Sequence, residues 1–370
     1  MKHLYTNAKI TEKALCLGLS LKYGNRHEDI DSLEELKVLA ESAGAVVFDS
    51  ILQIRDEIST KHYIGKGLVE EITALVQENS IDTVIFDNEL TPVQVRNLES
   101  ELKCKVIGRT ELILDIFAQR AQTKIARLQV ELAQLEFLRP RLRRAWSHLL
   151  GSQGGIGFRG PGETQLETDK RILTRRIAHI KRELKKLTTH IENSHKSRIG
   201  KNRICLVGYT NAGKSSLLNK MAGDKVLAKN MLFSTLDSTT RKLYINESLN
   251  VLISDTVGFI RRLPHLLVAS FKSTLTEVLE SDLLLHVIDV SREDVENQIK
   301  SVNEVLEEIG AANKKVIHVF NKTDKLESYV TKERFSSYPF SVFVSAATGE
   351  GLPELREQIA AVFNANSQLS

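Results

Sequence analysis

Ile204-Cys-Leu-Val-Gly208-Tyr-Thr-Asn-Ala-Gly213-Lys214-Ser215-Ser216-Leu-Leu-Asn219 decides the reading of this chain. The run from Ile204 to Val207 is short, continuous and apolar, the pattern of a parallel strand buried on both faces. Gly208-x-x-x-x-Gly213-Lys214-Ser215 follows, and Ser216 to Met221 has helical spacing. Strand, glycine-rich loop and helix in that order form a phosphate cradle. Glycines let the backbone close round phosphates, and successive N–H groups at a helix N-terminus point at them. Tyr209, Thr210, Asn211 and Ala212 form the loop between the glycines, and Ser216 opens the helix behind it. Lys214 has the reach for the β- and γ-phosphates, and the Ser215 hydroxyl suits Mg²⁺.

Working outward, the later motifs arrive in the order such a nucleotide domain needs. Asp255-Thr256-Val257-Gly258 follows the apolar strand Val251 to Ser254. Asp255 is placed to hold Mg²⁺ through water, and the Gly258 N–H to sense the γ-phosphate. Asn321-Lys322-Thr-Asp324 ends the strand Val316 to Phe320 and chooses the base. The Asp324 carboxylate accepts from guanine's N1–H and 2-amino group but would face a lone pair in adenine. Ser345-Ala346, after Phe340 to Val344, offers a backbone N–H to the guanine oxygen. Together these motifs point to GTP and GDP. Phe233-Ser234-Thr235 is the switch segment, with Thr235 chosen to close over Mg²⁺ and the γ-phosphate. Thr239 and Thr240 are rivals, because spacing alone does not settle the register. The expected catalytic group is therefore Lys214, Thr235 and Gly258, and the expected metal ligands are Ser215, Thr235 and Asp255. Phe259 stands where many GTPases carry a glutamine that orients water, so unassisted turnover should be near ~10⁻⁴ s⁻¹ or a few-fold above.

The bulk properties bound the rest. A chain of 370 residues with 26% charged and 42% hydrophobic residues is long enough for two or three soluble domains. Met1 to Ile10 is polar and lacks the apolar centre of a signal peptide, and runs such as Leu283-Leu-Leu are too short to span a bilayer. A cytoplasmic location with no membrane span is expected, peripheral membrane association being left open, and nothing demands more than a monomer. Cys16, Cys104 and Cys205 are odd in number and lack metal spacing, as reduced thiols do. Residues 1–110 alternate apolar runs with helical patterns, the signature of a small α/β domain with a mostly parallel sheet. Strands are expected over Ala14 to Leu19, Ala45 to Phe48, Thr83 to Phe86 and Lys105 to Ile107, and helices over Leu33 to Ser42, Leu68 to Glu78 and Pro92 to Leu102. Tyr63-Ile-Gly-Lys-Gly67 is either a plain turn or an anion site ahead of the second helix.

Residues 111–199 change pattern. A long helix is expected from Glu111 to Arg139, with Ala121, Ile125, Leu128, Leu132 and Leu135 as its seam and Pro140 kinking or ending it. Leu173, Ile177, Ile180, Leu184, Leu187 and Ile191 form a second seam. Two such helices joined by a loop bury their seams only against each other, in an antiparallel hairpin. Its tip, 151–162, holds six glycines in twelve residues, more than a turn requires. From Arg139 to Arg203 there are 17 Lys/Arg against 5 Asp/Glu, a net +12, so with +4 overall the remainder carries −8. Arg139, Arg141, Arg143, Arg144, Trp146 and His148 flank the tip on one side, and Lys170, Arg171, Arg175 and Arg176 on the other. Concentrated positive charge with Trp146 and Phe158 as stacking faces suits RNA. The fold class is thus α/β: a P-loop GTPase domain at 200–370, with a mixed, mostly parallel sheet covered by helices on both faces, preceded by the small α/β domain and the coiled-coil hairpin.

Leu128-Gln-Val-Glu-Leu-Ala-Gln134, Gly154-Gly-Ile-Gly-Phe-Arg-Gly-Pro-Gly-Glu-Thr-Gln-Leu-Glu167, Phe233-Ser-Thr-Leu-Asp237 and Asp255-Thr-Val-Gly-Phe-Ile260 resemble the HflX family of translation-associated GTPases over nearly the whole chain. The resemblance implies binding to the large ribosomal subunit and its RNA through 139–203. It also implies splitting of stalled or idle ribosomes, with the tip loop reaching the peptidyl-transferase region. Many members continue into a further small domain, whereas this sequence stops at Ser370 after the helix Leu352 to Phe363. Contacts attributed to that domain are not carried over. Asn211 resembles the asparagine with which related GTPases hold a potassium ion beside the phosphates; the alternative is that asparagine simply suits the turn. A GTP-controlled RNA-remodelling or regulatory module, not triggered by ribosomes, is the competing reading of the same motifs.

Overall fold

The computed structural model describes residues 12–145, 161–196, 202–223, 232, 233, 239–247, 249–261, 272–326, 334, 335 and 338–367. Its contacts gather into two units, Met1–Gln119 with Glu131–His179, and Arg120–Val130 with Ile180–Ser370.

In the first unit, β1 (Lys13–Leu21), β2 (Val46–Arg55), β3 (Thr83–Phe86) and β4 (Lys105–Gly108) form a sheet in the order β2-β1-β3-β4. All three described pairings are parallel. The helices α1 (Arg26–Ala43), α2 (Lys66–Asn79) and α3 (Pro92–Leu102) connect them. Each sequence expectation here falls on an observed element, although β2 runs on past Phe48 to Arg55 and α1 begins at Arg26, ahead of Leu33. Local chemistry explains the boundaries. Thr91 and Gln94 form a reciprocal capping box at the start of α3, with Pro92 at its first position. The N–H of Gly65, the residue ahead of α2, donates to Gln53 Oε1 at 2.9 Å. Leu15, Leu17, Val84 and Phe86 from the strands meet Val69, Ile72 and Leu98 from the helices in one core. Beside it, the buried Arg109 guanidinium ties Glu35 of α1 to Asp87, 2.6 Å away, at the end of β3. Cys16, Cys104 and Cys205 are free thiols, and burial pushes Cys16 up to about 12 and Cys104 to about 11.

The expected helix from Glu111 to Arg139 is two helices, α4 (Arg109–Arg120) and α5 (Lys124–Ala145). The break has a local cause: Thr123 accepts from the Ala126 N–H at 3.1 Å, a side-chain cap that starts a new helix. Ala121, placed on the seam by its spacing, lies in that break. Pro140 does not end α5, which runs on to Ala145. Arg141, one residue later, pairs with Glu111 and stacks 3.7 Å over the Phe137 ring, holding the turn that proline weakens. The second long helix, α6, spans Pro161–Lys196 and opens with proline at its first position. Arg176 pairs with Glu131 at 2.6 Å and Lys124 with Glu183 at 2.9 Å. Moving back along α5 matches moving forward along α6, so the two helices run antiparallel. Of the expected seam, Leu128, Leu132, Leu173, Ile177 and Ile180 are buried, while Ile125, Leu135, Leu184 and Leu187 are half-buried. The tip residues 146–160, including Trp146, His148 and Phe158, lie outside the described residues, as do the side chains of Arg143, Arg144 and Ile191.

In the second unit, β5 (Asn202–Gly208), β6 (Thr239–Tyr244), β7 (Asn250–Asp255), β8 (Leu283–Asp289), β9 (Lys315–Asn321) and β10 (Ser341–Phe343) form a sheet in the order β10-β9-β8-β5-β7-β6. Only the edge strand β6 is antiparallel, against β7. The helices are α7 (Lys214–Ala222), α8 (Lys272–Glu280), α9 (Val295–Glu308) and α10 (Leu352–Ser367). Every residue of β8 is buried, the polar His286 and Asp289 as well as the apolar Leu283 to Leu285, Val287 and Ile288. Among the described residues no helix is long and apolar enough to cross a membrane.

Candidate functional site

The strands β5, β7, β8, β9 and β10 all point their carboxyl ends the same way, and the motif residues sit on those ends. Chain order reverses at β5, which lies between β7 and β8. A crevice at that reversal is where open α/β sheets bind ligands.

Gly208 closes β5, and the loop turns through Asn211, whose φ of +60° is left-handed, to Gly213 at the cap of α7. Gly213 itself has φ +95°, and a Cβ there would fall 2.2 Å from Asn321 Nδ2. Only glycine satisfies both the backbone and the contact. The loop is zipped to the Asp255–Gly258 segment through main chain. Thr210 N donates to Phe259 O at 2.7 Å, and Phe259 N to Gly208 O at 3.1 Å. A Cβ on Gly258 would stand 2.8 Å from Thr210 Cα and 3.0 Å from Lys214 Nζ, so this approach also demands glycine. The Lys214 ammonium donates to Gly208 O at 3.0 Å and Tyr209 O at 2.9 Å. Burial lowers its pKa to about 8, only partly opposed by the Asp255 charge.

Ser215 Oγ and Asp255 Oδ2 are 2.5 Å apart, so the structure brings the two expected metal ligands together. Both are hard oxygens, and Mg²⁺ is held by one or two such protein groups plus phosphates and water, without a cage of protein ligands. Among the described residues there is no cluster of three His, Cys, Asp or Glu. The donor set fits Mg²⁺. Of the switch residues, Phe233 is buried with φ +53°, while Ser234 and Thr235 lie outside the described residues. Thr239 and Thr240 sit in β6 opposite Asp255 and Ser254, and the Thr240 hydroxyl is 2.9 Å from Ser254 Oγ. Thr256 spends its hydroxyl on Leu206 O at 2.7 Å, bracing β7 to β5, and Val257 and Ser216 are half-buried beside the loop.

The base side is equally organised. Asn321 Nδ2 donates to Ala212 O at 2.8 Å, and Asn321 Oδ1 accepts from Ala346 N at 3.0 Å. One side chain thereby joins the phosphate loop to the Ser345-Ala346 loop. Asp324 Oδ1 accepts from Ser345 Oγ at 2.5 Å, fixing the carboxylate. The Ser345 N–H goes to Glu350 O at 3.0 Å. The N–H offered by Ala346 is thus engaged with Asn321, and reaches a guanine oxygen only by sharing. Sequence reasoning missed two further features. Tyr209 Oη accepts from Arg261 N at 2.8 Å, and Lys322 Nζ donates to Asp289 Oδ2 at 2.6 Å. Arg261 and Asp289 lie outside the nucleotide motifs, so pattern alone gave no signal of either bond.

Three family models match the chain: one described as GTP-binding GTPase N-terminal over residues 30–118, one as GTP-binding GTPase Middle Region over 120–198, and one as 50S ribosome-binding GTPase over 203–322. The GTPase HflX of Flavobacterium psychrophilum is 48% identical over 313 residues, covering 85% of this chain and 76% of that protein. The GTPase HflX of Escherichia coli is 45% identical over 337 residues, covering 90% and 79%. Among solved structures, that of SsGBP in complex with GDP aligns with a TM-score of 0.53 and 28% identity, covering 97% of this chain and 99% of that one. With the phosphate loop, the Asp255 segment and the guanine motifs gathered on one sheet edge, and with relatives this similar along most of its length, the chain belongs to the GTPase HflX family.

Proposed function

We propose that this GTPase is a switch that binds the large ribosomal subunit and its RNA through residues 139–203 and splits stalled or idle ribosomes. The tip loop 151–162 reaches toward the peptidyl-transferase region. The observation that carries this reading is the coexistence, in one chain of this family, of the guanine-nucleotide constellation and the net +12 segment on α5 and α6. In this reading Gly208 to Ser216 cradle the phosphates, with Lys214 on the β- and γ-oxygens. Ser215 and Asp255 hold Mg²⁺, with Thr235 joining them when the switch closes, and Gly258 senses the γ-phosphate. Mg²⁺ there neutralises charge that develops on the phosphate oxygens. Asn321, Lys322, Asp324, Ser345 and Ala346 form the base pocket. Asn211 has a conformational reason for being asparagine in its left-handed φ, which favours the turn over the potassium site. The protein works as a monomer in the cytoplasm.

GTP orders the switch segment and docks the domain, and hydrolysis releases it. The test is subunit affinity with GDP against a non-hydrolysable GTP analogue. Tighter binding with the analogue is expected, and equal affinity would overturn the switch. A second expectation arises from Lys214. Its pKa of about 8 means that the free ammonium loses its proton as pH rises, whereas a bound phosphate stabilises the charged form. Binding therefore takes up a proton, and GDP affinity should fall about fourfold from pH 7 to pH 8.5. Titration of fluorescent GDP measures it; a flat profile would show that binding is not linked to protonation of Lys214 over this range.

A further inference from the structure

One buried carboxylate on the same edge has no task in the nucleotide motifs. Asp289 is the last residue of β8 and is 5% exposed. Its Oδ2 accepts from Lys322 Nζ at 2.6 Å, and its Oδ1 accepts from Ser291 N at 3.1 Å and Ser291 Oγ at 2.6 Å. A buried carboxylate satisfied on both oxygens is a fixed point, because any rotation strands one of its bonds. Lys322 follows β9 directly, in register with the end of β8, and its left-handed φ of +67° turns it out of the strand line. Its side chain is mostly buried and ends on Asp289. Lys322 thus stands in the chain between Asn321, bonded to the phosphate loop, and Asp324, fixed by Ser345.

We propose that Asp289 is a positioning residue for the nucleotide: it anchors the Lys322 ammonium so that the four-carbon stem stands as a fixed apolar wall against the face of the purine. This rests on the GTP reading of the site. A lysine stem is flexible and its ammonium is drawn to any nearby phosphate. Holding the charge on Asp289 removes that competing attraction and settles the rotamer before the base arrives. Such preorganisation slows release. The alternative task for Asp289, capping the turn through Ser291, would stabilise the fold without acting through Lys322.

The experiment measures release of fluorescent GDP from the full chain carrying Asp289→Asn, Lys322→Met or both. Asn keeps the shape and removes the charge; Met keeps the apolar stem and removes the ammonium. Release from Asp289→Asn should be about tenfold faster, the scale of one charge-assisted hydrogen bond. The double variant should be no faster than Lys322→Met alone, because Asp289 acts only through that ammonium. Inosine diphosphate should be released faster by the same factor as GDP, since a wall against the ring face does not read the 2-amino group. Wild-type release from Asp289→Asn, or single effects that multiply in the double variant, would overturn the proposal. If Asp289→Asn fails to fold, Ser291→Ala carries the test. It should speed release while Lys322 is present and change nothing in the Lys322→Met background. A wild-type chain that does not retain GDP would instead refute the nucleotide reading beneath it.

Discussion

Asp324→Asn lowers GTP affinity by about a thousandfold or more and transfers preference to xanthosine triphosphate. Guanine presents two donors on one edge, N1–H and the 2-amino group, and a carboxylate accepts both. Asparagine puts an NH₂ where one acceptor stood, so two donors face each other once the base covers this position, which is exposed in the free chain. Unpaired polar groups in such a site cost far more than a lost contact at the surface. Xanthine replaces the 2-amino group with a carbonyl, and the asparagine NH₂ then has an acceptor. The Ser345 hydroxyl, 2.5 Å from Asp324 Oδ1, keeps the side chain in place in either case, because it can donate to an amide oxygen as well. Competition binding with the two triphosphates measures the switch. A variant that keeps its GTP preference would show that another group reads the base.

Much of this edge could be read from residue order, because phosphate and base contacts depend on backbone that only particular residues permit. Gly213 must be glycine for both its φ and its contact with Asn321, and a spacing rule can express that. The strands were legible because burial on both faces leaves continuous apolar runs, as from Ile204 to Val207 in β5. What stayed hidden depends on partners distant in sequence. Asn321 bonding Ala212 and Ala346 joins three segments, and no local pattern announces it. The break before α5 was hidden for a different reason. Its cap, Thr123, lies inside a heptad pattern that continues smoothly across it, so periodicity overrode a weaker local signal. Of the two outcomes expected at Pro140, a kink or an end, the end does not occur: the proline rule is local, and the Arg141 pairing with Glu111 is not.

Large ribosomal subunits should accelerate GTP turnover by about a thousandfold or more, and removal of residues 151–162 should abolish most of that gain. The argument starts at Phe259. Its side chain is 2% exposed, and its backbone is tied on both sides to Gly208 and Thr210, so the residue after Gly258 packs the loop and cannot orient water. Ile260, the next residue, is also buried and apolar. A phosphoryl-transfer site with the cradle and Mg²⁺ ligands but without a group on the water runs near the unassisted rate of ~10⁻⁴ s⁻¹. A polar or cationic group supplied by a partner is worth roughly three to five orders of magnitude at this step. The partner must therefore be recognised by something other than the site itself, and the +12 segment is the part of the chain built for a polyanion. The deletion removes none of the residues that carry the nucleotide motifs, so GDP affinity of the shortened protein should match the full chain and serve as its folding control. Stimulation by subunits that survives the deletion would separate the tip from triggering. Stimulation by bulk RNA instead of subunits would identify the chain as an RNA-remodelling or regulatory module, because a partner that merely neutralises the arm, without placing a group beside the γ-phosphate, would then suffice.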